Sequence, residues 1–533
     1  MTCYFVKIGS ISEPNGATKE HKLPPSLPTM AALLQRPHAA VLCLSILYLT
    51  GGMSIPDPKQ REALIKQESS MQTGGQQVLT DAEQRLNARL LKMKQDEVER
   101  EEFPPAMHFF KARELIRNSP IFKLLQKMPK GGALHLHDFS MVDVEWLVKN
   151  ATYRPHCYIC FTSRSVRFIF SSQQPKPLTN CSSWTLLESL RAKTVNTTDL
   201  DNSIMGNLTL FTDKDPEAVY PTQTVVWSIF EETFQAAYGL VTYAPVFKDY
   251  FYQGLSQFYM DNVMYLELRA ILPEIYDLDG RTYDRAWTLK TCQDISRQFV
   301  ANHPDFVGVR IIFTAKRTIN TNKMLKVVEE AMALYRDFPD IMAGFDLVGW
   351  EDGGRPLWYY RDALSLPVER GVPLPFFFHA GETNSQGTEV DQNILDALLF
   401  NTSRIGHGFA LTRHPVAKEW SRKYGVAVEV CPISNQVLKL VKDLRNHPAA
   451  ALMSENHPVV ISSDDPAIFG AFGLSYDFYE AFVGFGGMRS HVGSLKQLAI
   501  NSIRYSSLTP EEKEKALSLW QRRWDKFVFE NAF

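Results

Sequence analysis

The sequence predicts an α/β protein, a (β/α)8 TIM barrel with an N-terminal helical extension and a disulfide-containing, glycosylated insertion after strand 1. Three observations carry that expectation. Eight short β-rich runs alternate with helical stretches. The runs lie at 131–139, 265–270, 306–315, 341–349, 375–382, 404–409, 427–434 and 459–466, with helical patterns such as 322–335 and 391–399 between them. Most of the runs end in polar or chemically able residues. The gap between the first run and the second is far too long for one helix, so residues 150–208 read as an inserted domain. The barrel is then assigned to 128–149 and 209–533.

Ahead of the barrel, the apolar run 39–49 follows Arg36 and precedes Gly51, Gly52 and Ser54. It has the form of a secretory signal peptide and is shorter than the ~20 residues that span a bilayer. A signal normally begins at once, so translation is expected to start at Met30. Residues 1–29 are then an upstream extension and 30–54 the signal, and the mature chain is expected to be secreted, with no membrane span. Residues 55–127 read as helical and charged. Thr80-Asp-Ala-Glu83 is a capping box, and Leu86, Leu90, Met93 and Glu97 follow at helical spacing. So narrow an apolar stripe either packs on a larger body or pairs with another subunit.

Five sequons agree with export, at Asn150, Asn180, Asn196, Asn207 and Asn401. The first four cluster in the insertion. Cys157, Cys160 and Cys181 share that segment, and an oxidising compartment implies one disulfide there, with Cys160–Cys181 as the chosen pair. Cys157 and Cys160 also form a CxxC, but no second CxxC completes a zinc site. Cys292 and Cys431 read as buried thiols. With 45% hydrophobic and 22% charged residues, the chain is not disordered. A net charge of −2 excludes a nucleic-acid binder held by bulk charge. Seven cysteines in 533 residues are too few for a disulfide scaffold.

The chemistry gathers at strand ends. His135 and His137 are two apart, so on a strand they face the same side. Run five ends with His379 and Glu382, run six carries His407 between Gly406 and Gly408, and run eight ends with Asp464 and Asp465. Barrel closure brings such tips together at the C-terminal face. Nitrogen from His135, His137 and His379 with oxygen from Asp464, and no thiolate, suits Zn²⁺, one per chain. An open position makes bound water a hydroxide source near neutral pH. Glu382 can exchange a proton with the substrate, and a neutral His407 either accepts the water proton or orients the hydroxide. Asp465 is free to hold a polar substrate atom. Glycine on both sides of His407 signals close approach of backbone or ligand.

These residues resemble the adenosine deaminase branch of the metal-dependent amidohydrolases. Met128-Pro-Lys-Gly-Gly-Ala-Leu-His-Leu-His-Asp138, Gly344-Phe-Asp-Leu-Val-Gly349, His379-Ala-Gly-Glu382, Gly406-His-Gly408 and Ser463-Asp-Asp-Pro466 match its motifs in order, over residues ~80–530. The signal, helical N-terminal segment and glycosylated insert are similar to those of the secreted adenosine deaminase-related growth factors. The resemblance implies hydrolysis of adenosine and 2′-deoxyadenosine to inosine or 2′-deoxyinosine and ammonia, and homodimers held by the N-terminal helices. Zinc would sit on His135, His137, His379 and Asp464. Glu382 would protonate N1 of the adenine, with His407 and Asp464 orienting the attack on C6. Asp465 would meet N7, and the Gly349 backbone would meet N3. Asp138, Trp227 and Glu231 would meet or stack near the ribose; Trp227 and Glu231 are four apart and share a helical face. Two positions depart from the pattern. Lys316-Arg317 stands where relatives often have His before Arg, which puts a substrate contact at Lys316 in doubt. Trp350 stands where relatives often have His, and is read as shaping the rim.

Other readings compete. An AMP deaminase would be cytosolic and need cationic phosphate contacts. A cytidine-deaminase site requires His-x-Glu, and none of the 13 histidines has Glu two residues on. A non-catalytic growth factor is the alternative of another class. Its insert would bind a receptor or a sulfated glycosaminoglycan through Arg154, His156, Arg164, Arg167, Lys176, Arg191 and Lys193.

Overall fold

The computed structural model describes residues 55–533, so the upstream extension and signal peptide lie outside the described residues. A polar helix, α1 (Pro58–Met71), opens the described chain. The chain divides within it, between Ile65 and Lys66, into two units. The second unit, residues 66–533, holds the barrel and the insertion.

The first barrel strand, β1 (Gly131–His137), is followed by three short strands of the insertion, β2 (Cys157–Phe161), β3 (Val166–Phe170) and β4 (Thr185–Leu186). The barrel resumes with β5 (Val263–Ala270). A small hairpin of β6 (Ile275–Tyr276) and β7 (Thr282–Tyr283) leads to β8 (Gly308–Lys316) and β9 (Met342–Val348). The second half is β10 (His379–Ala380), β11 (Arg404–His407), β12 (Ala427–Val430) and β13 (Val459–Ile461). Two four-stranded parallel sheets result, in the orders β1-β5-β8-β9 and β10-β11-β12-β13. Two parallel bridges join them into a ring, Phe345 to Phe376 and Leu136 to Asp464. At the second, the His137 N–H donates to the Asp464 carbonyl (3.0 Å) and the Asp464 N–H to the His135 carbonyl (3.1 Å). The seam that closes the barrel is therefore made of site residues. The fifth run gives the shortest barrel strand: only His379 and Ala380 pair with β11, while Phe376 on its flank bridges to Phe345 of β9.

α2 (Asp81–Val98) begins at the expected capping box of Thr80 and Glu83. Its stripe packs within the chain. Leu86 and Leu90 are buried, and the fully buried Lys94 places its Nζ against the carbonyls of Phe482 (3.0 Å), Gly487 (2.8 Å) and Ser490 (2.7 Å). Glu97 accepts from Ser119 and from the Tyr479 hydroxyl.

In the insertion, β3-β2-β4 form an antiparallel sheet, and Cys160 is disulfide-bonded to Cys181. Cys157, Cys292 and Cys431 are free, buried thiols. The sheet lies on α3 (Gln223–Val241). A Cβ on Gly239 would come within 1.8 Å of the Phe168 carbonyl oxygen, so only glycine permits the approach. Tyr276 staples the contact: its hydroxyl accepts from the Phe170 N–H (3.0 Å) and donates to the Gly239 carbonyl (2.6 Å). Asn150, Asn180, Asn196 and Asn401 are exposed and Asn207 is half-buried. Among the described residues no helix is long and apolar enough to cross a membrane.

Candidate active site

The C-terminal tips of β1, β10 and β11 and the turn after β13 meet at one point. Ligand atoms of His135, His137, His379 and Asp464 all lie within 4.8 Å of one another. Period two on β1 sends both of its imidazoles inward, as the spacing requires. The Asp464 carboxylate lies 3.1 Å from His137 Nε2 and 3.3 Å from His135 Nε2. Even so, His135 Nε2 and Asp464 Oδ1 are buried without a hydrogen-bond partner. They converge on a common space rather than on each other. Asp464 (φ 60°) and His407 (φ 59°) both sit in left-handed backbone. Such strain persists in side-chained residues only where the surroundings fix them.

A buried layer beneath orients these groups. The His135 Nδ1–H donates to Glu429 (2.7 Å) and the His379 Nδ1–H to Asp346 (2.6 Å), which leaves both Nε2 lone pairs for the centre. Arg269 bridges Asp346 (2.8 Å) and Glu429 (2.6 Å), and Arg404 bridges Glu429 and Glu267 (both 2.6 Å). All five charged groups are buried. Burial alone would raise the carboxyls, but His379 and Arg269 beside Asp346, and Arg269 and Arg404 beside Glu429, hold both well below the ordinary range. Both therefore stay anionic under the imidazoles. Gly406 completes the packing, since a Cβ there would lie 3.0 Å from the His379 Cα and 3.1 Å from the His135 Cε1.

The donor set is imidazole nitrogen and carboxylate oxygen with an open side toward the cavity, which fits a divalent metal in a catalytic role. A second grouping of His135, His407, Cys431 and Asp464 is also close enough to hold an ion. Burial pushes the Cys431 thiol well up, so it stays protonated and is the poorer ligand.

Above the cluster opens a cavity of about 280 Å³. Its wall includes every residue that the resemblance assigns to substrate or proton transfer: Asp138, Trp227, Glu231, Lys316, Gly349, Glu382, His407 and Asp465. Trp227 and Glu231 come from one face of α3, and Gly349 takes a φ of +102° at the end of β9. Glu382 is buried with one carboxyl oxygen unpartnered. Burial, then Asp464 and Glu351, push its carboxyl well above the usual range. Burial raises Asp465 to about 8 and Asp138 to about 7. The Ser140 hydroxyl donates to Asp465 (2.5 Å). Lys316 is tied to Glu231 at the mouth (2.9 Å). Trp350 does more than shape a rim: it stacks behind Trp227 at 6.2 Å and 17°.

Sequence reasoning missed the supporting residues. Asp346, Glu429 and Arg269 lie inside apolar strand runs, and a charge at an interior strand position was the available signal. Glu351 gives a weaker signal. It accepts from the backbone N–H groups of Gly381 (2.9 Å) and Glu382 (2.8 Å) and so holds the turn that carries Glu382.

Groups of this hardness on the tips of a closed parallel barrel are the arrangement that a metal-assisted hydrolase needs. The family profile described as Adenosine deaminase matches residues 210–521, and the profile Adenosine/AMP deaminase N-terminal matches 41–125. The chain is 63% identical to Adenosine deaminase 2-A of Danio rerio over 89% of its length and 95% of the relative's. It is 49% identical to Adenosine deaminase 2 of Homo sapiens, covering 93% and 98%. Among solved structures it resembles Arabidopsis ADAL complexed with GMP (TM-score 0.53, 18% identity, 75% of this chain and 98% of that one). It also resembles a Burkholderia ambifaria amidohydrolase with bound Zn (TM-score 0.53, 16% identity, 77% and 94%). The chain belongs to the adenosine deaminase family.

Proposed function

We propose that this chain is a secreted, zinc-dependent adenosine deaminase that converts adenosine and 2′-deoxyadenosine, with water, to inosine or 2′-deoxyinosine and ammonia. One observation carries the reading. The His/Asp cluster that could hold a metal ion and Glu382, with one carboxyl oxygen unpartnered, line the same cavity.

His135, His137, His379 and Asp464 would hold the ion, which when bound supplies Lewis acidity and a water acidified toward neutral pH. Glu382, kept protonated by its surroundings, gives its proton to ring N1 and so makes C6 electrophilic. His407 and Asp464 orient the attacking oxygen toward that carbon. Asp465, raised to about 8, carries a proton at neutral pH and can donate it to N7. The Gly349 N–H lines the cavity for N3, and Trp227, braced by Trp350, forms an apolar wall for the sugar. The cavity favours a nucleoside over a nucleotide. Its cationic lining residues are Arg269, committed to Asp346 and Glu429, and Lys316, committed to Glu231. Neither is spare for a phosphate. Homodimers through the N-terminal helical region accompany this reading, as does a receptor or glycan role for the insert.

Ammonia release from adenosine, with AMP as comparison, tests it. The zinc-loaded chain is expected to act on adenosine and to turn over AMP at least ~10²-fold less well. Glu382→Gln should lower kcat by roughly 10²–10⁴ with zinc retained. No ammonia from a zinc-loaded preparation rejects the reading, and a fully active Glu382→Gln removes the acid assignment.

A further inference from the structure

Behind His407 runs a chain of buried hydrogen bonds that the deamination steps do not use. His407 Nε2 faces Asp464 at 3.8 Å, while its Nδ1 lies 3.0 Å from Asn435 Nδ2 and 3.7 Å, beyond hydrogen-bond reach, from Glu382 Oε1. Asn435 Oδ1 lies 2.9 Å from His447 Nε2. His447 Nδ1 lies 3.0 Å from the backbone nitrogen of Ala449. All three side chains are buried.

The direction of every link follows from the last one. A backbone N–H only donates, so His447 Nδ1 is a bare acceptor and the proton of that ring sits on Nε2. An Nε2–H requires an acceptor, which turns the Asn435 oxygen toward His447 and its NH₂ toward His407. That NH₂ donates to His407 Nδ1. The His407 proton therefore sits on Nε2, the nitrogen that faces the metal cluster.

We infer that His447 and Asn435 are positioning residues whose chain, anchored on the Ala449 amide, holds His407 as the Nε2–H tautomer. His407 then donates a hydrogen bond to the attacking oxygen instead of taking its proton. The inference rests on the deaminase reading and decides between the two roles open to His407. Burial pushes His447 down to about 3, so it stays neutral through the physiological range. Its ring packs against Phe409 (5.1 Å) and Phe485 (4.7 Å), so a leucine fills the same apolar space without the donor. In His447→Leu the Asn435 amide is free to turn its oxygen toward His407, which favours the wrong tautomer.

The test reads histidine ring nitrogens by NMR in the ¹⁵N-histidine-labelled, zinc-loaded chain without substrate, with the His407 signals identified by their loss in His407→Gln. The wild-type chain should show an unprotonated Nδ1 and a protonated Nε2 at His407. His447→Gln, which keeps a donor toward Asn435, should retain that pattern and most of kcat. His447→Leu should lose the pattern, and its kcat should fall on the order of 10²-fold with KM nearly unchanged. A protonated Nδ1 at His407 in the wild-type chain overturns the inference without need of any variant. Unchanged kcat in His447→Leu overturns the positioning role, whatever the shifts. If the wild-type chain fails to deaminate adenosine, the functional reading falls, and the nitrogen shifts still decide the tautomer.

Discussion

At the scale of single residues, the site separates groups that line the cavity from buried groups that hold them. Asp346 belongs to the second kind. It accepts from His379 and is held anionic by Arg269. Asp346→Asn keeps the shape but removes the charge that makes His379 a stronger donor toward a metal. Zinc affinity should fall 10–100-fold, as a chelator competition would show, and unaltered affinity would remove Asp346 from the metal's support. Glu382 gives a pH dependence. Its folded pKa is raised, chiefly by burial, so it is protonated at neutral pH and loses its proton as pH rises. A general acid works only while protonated, so kcat/KM should fall on the alkaline side. A pH profile lacking that alkaline limb would count against the role. The clustering of His135, His137, His379 and Asp464 was legible because imidazoles and carboxylates at strand ends have little packing value. Asp346 stands inside a recognisable motif, yet its role was not visible, because the partner that gives it meaning, Arg269, is 77 residues away.

At the scale of elements, the barrel strands were readable from their apolar runs, and α2 from its capping box. The destination of α2 was not. A stripe of four apolar or long side chains fits a barrel or a partner subunit equally well, and periodicity holds no information on which body covers it. The structure settles one side through Lys94, whose Nζ lies within hydrogen-bond distance of three carbonyls of the segment 482–490. Lys94→Met keeps the aliphatic stem but leaves those carbonyls without their donor. A loss of about 3 kcal/mol is expected, read as a lower midpoint in urea with kcat retained below the transition. A midpoint equal to that of the parent would mean water replaces the Lys94 nitrogen at no cost. The fifth strand was over-read for a related reason. Its apolar run pairs unevenly: His379 and Ala380 pair with β11, while Pro375 and Phe377 bond to the Phe345 backbone only through an isolated bridge.

At the scale of the whole molecule, the insertion bears on both functional classes. It docks on α3, the helix that carries Trp227 and Glu231 into the cavity wall, so removing residues 150–208 would uncover that helix. Deletion is therefore a poor test of what the insertion binds. Its seven basic residues are also not equivalent. Arg154 pairs with Asp249 (2.6 Å), Arg167 with Glu232 (2.8 Å), and Arg191 is buried against Asp201 (2.9 Å). His156, Arg164, Lys176 and Lys193 are exposed. Only exposed charge acts on a polyanion at a distance, and only within a Debye length of about 10 Å at 0.1 M salt. Replacing those four by alanine in the full chain should lower the salt needed to elute it from heparin and leave adenosine turnover intact. Elution at the parent's salt concentration would remove the insertion's exposed bases from any glycan role. Loss of turnover in the same variant would show instead that the insertion acts on the cavity through α3.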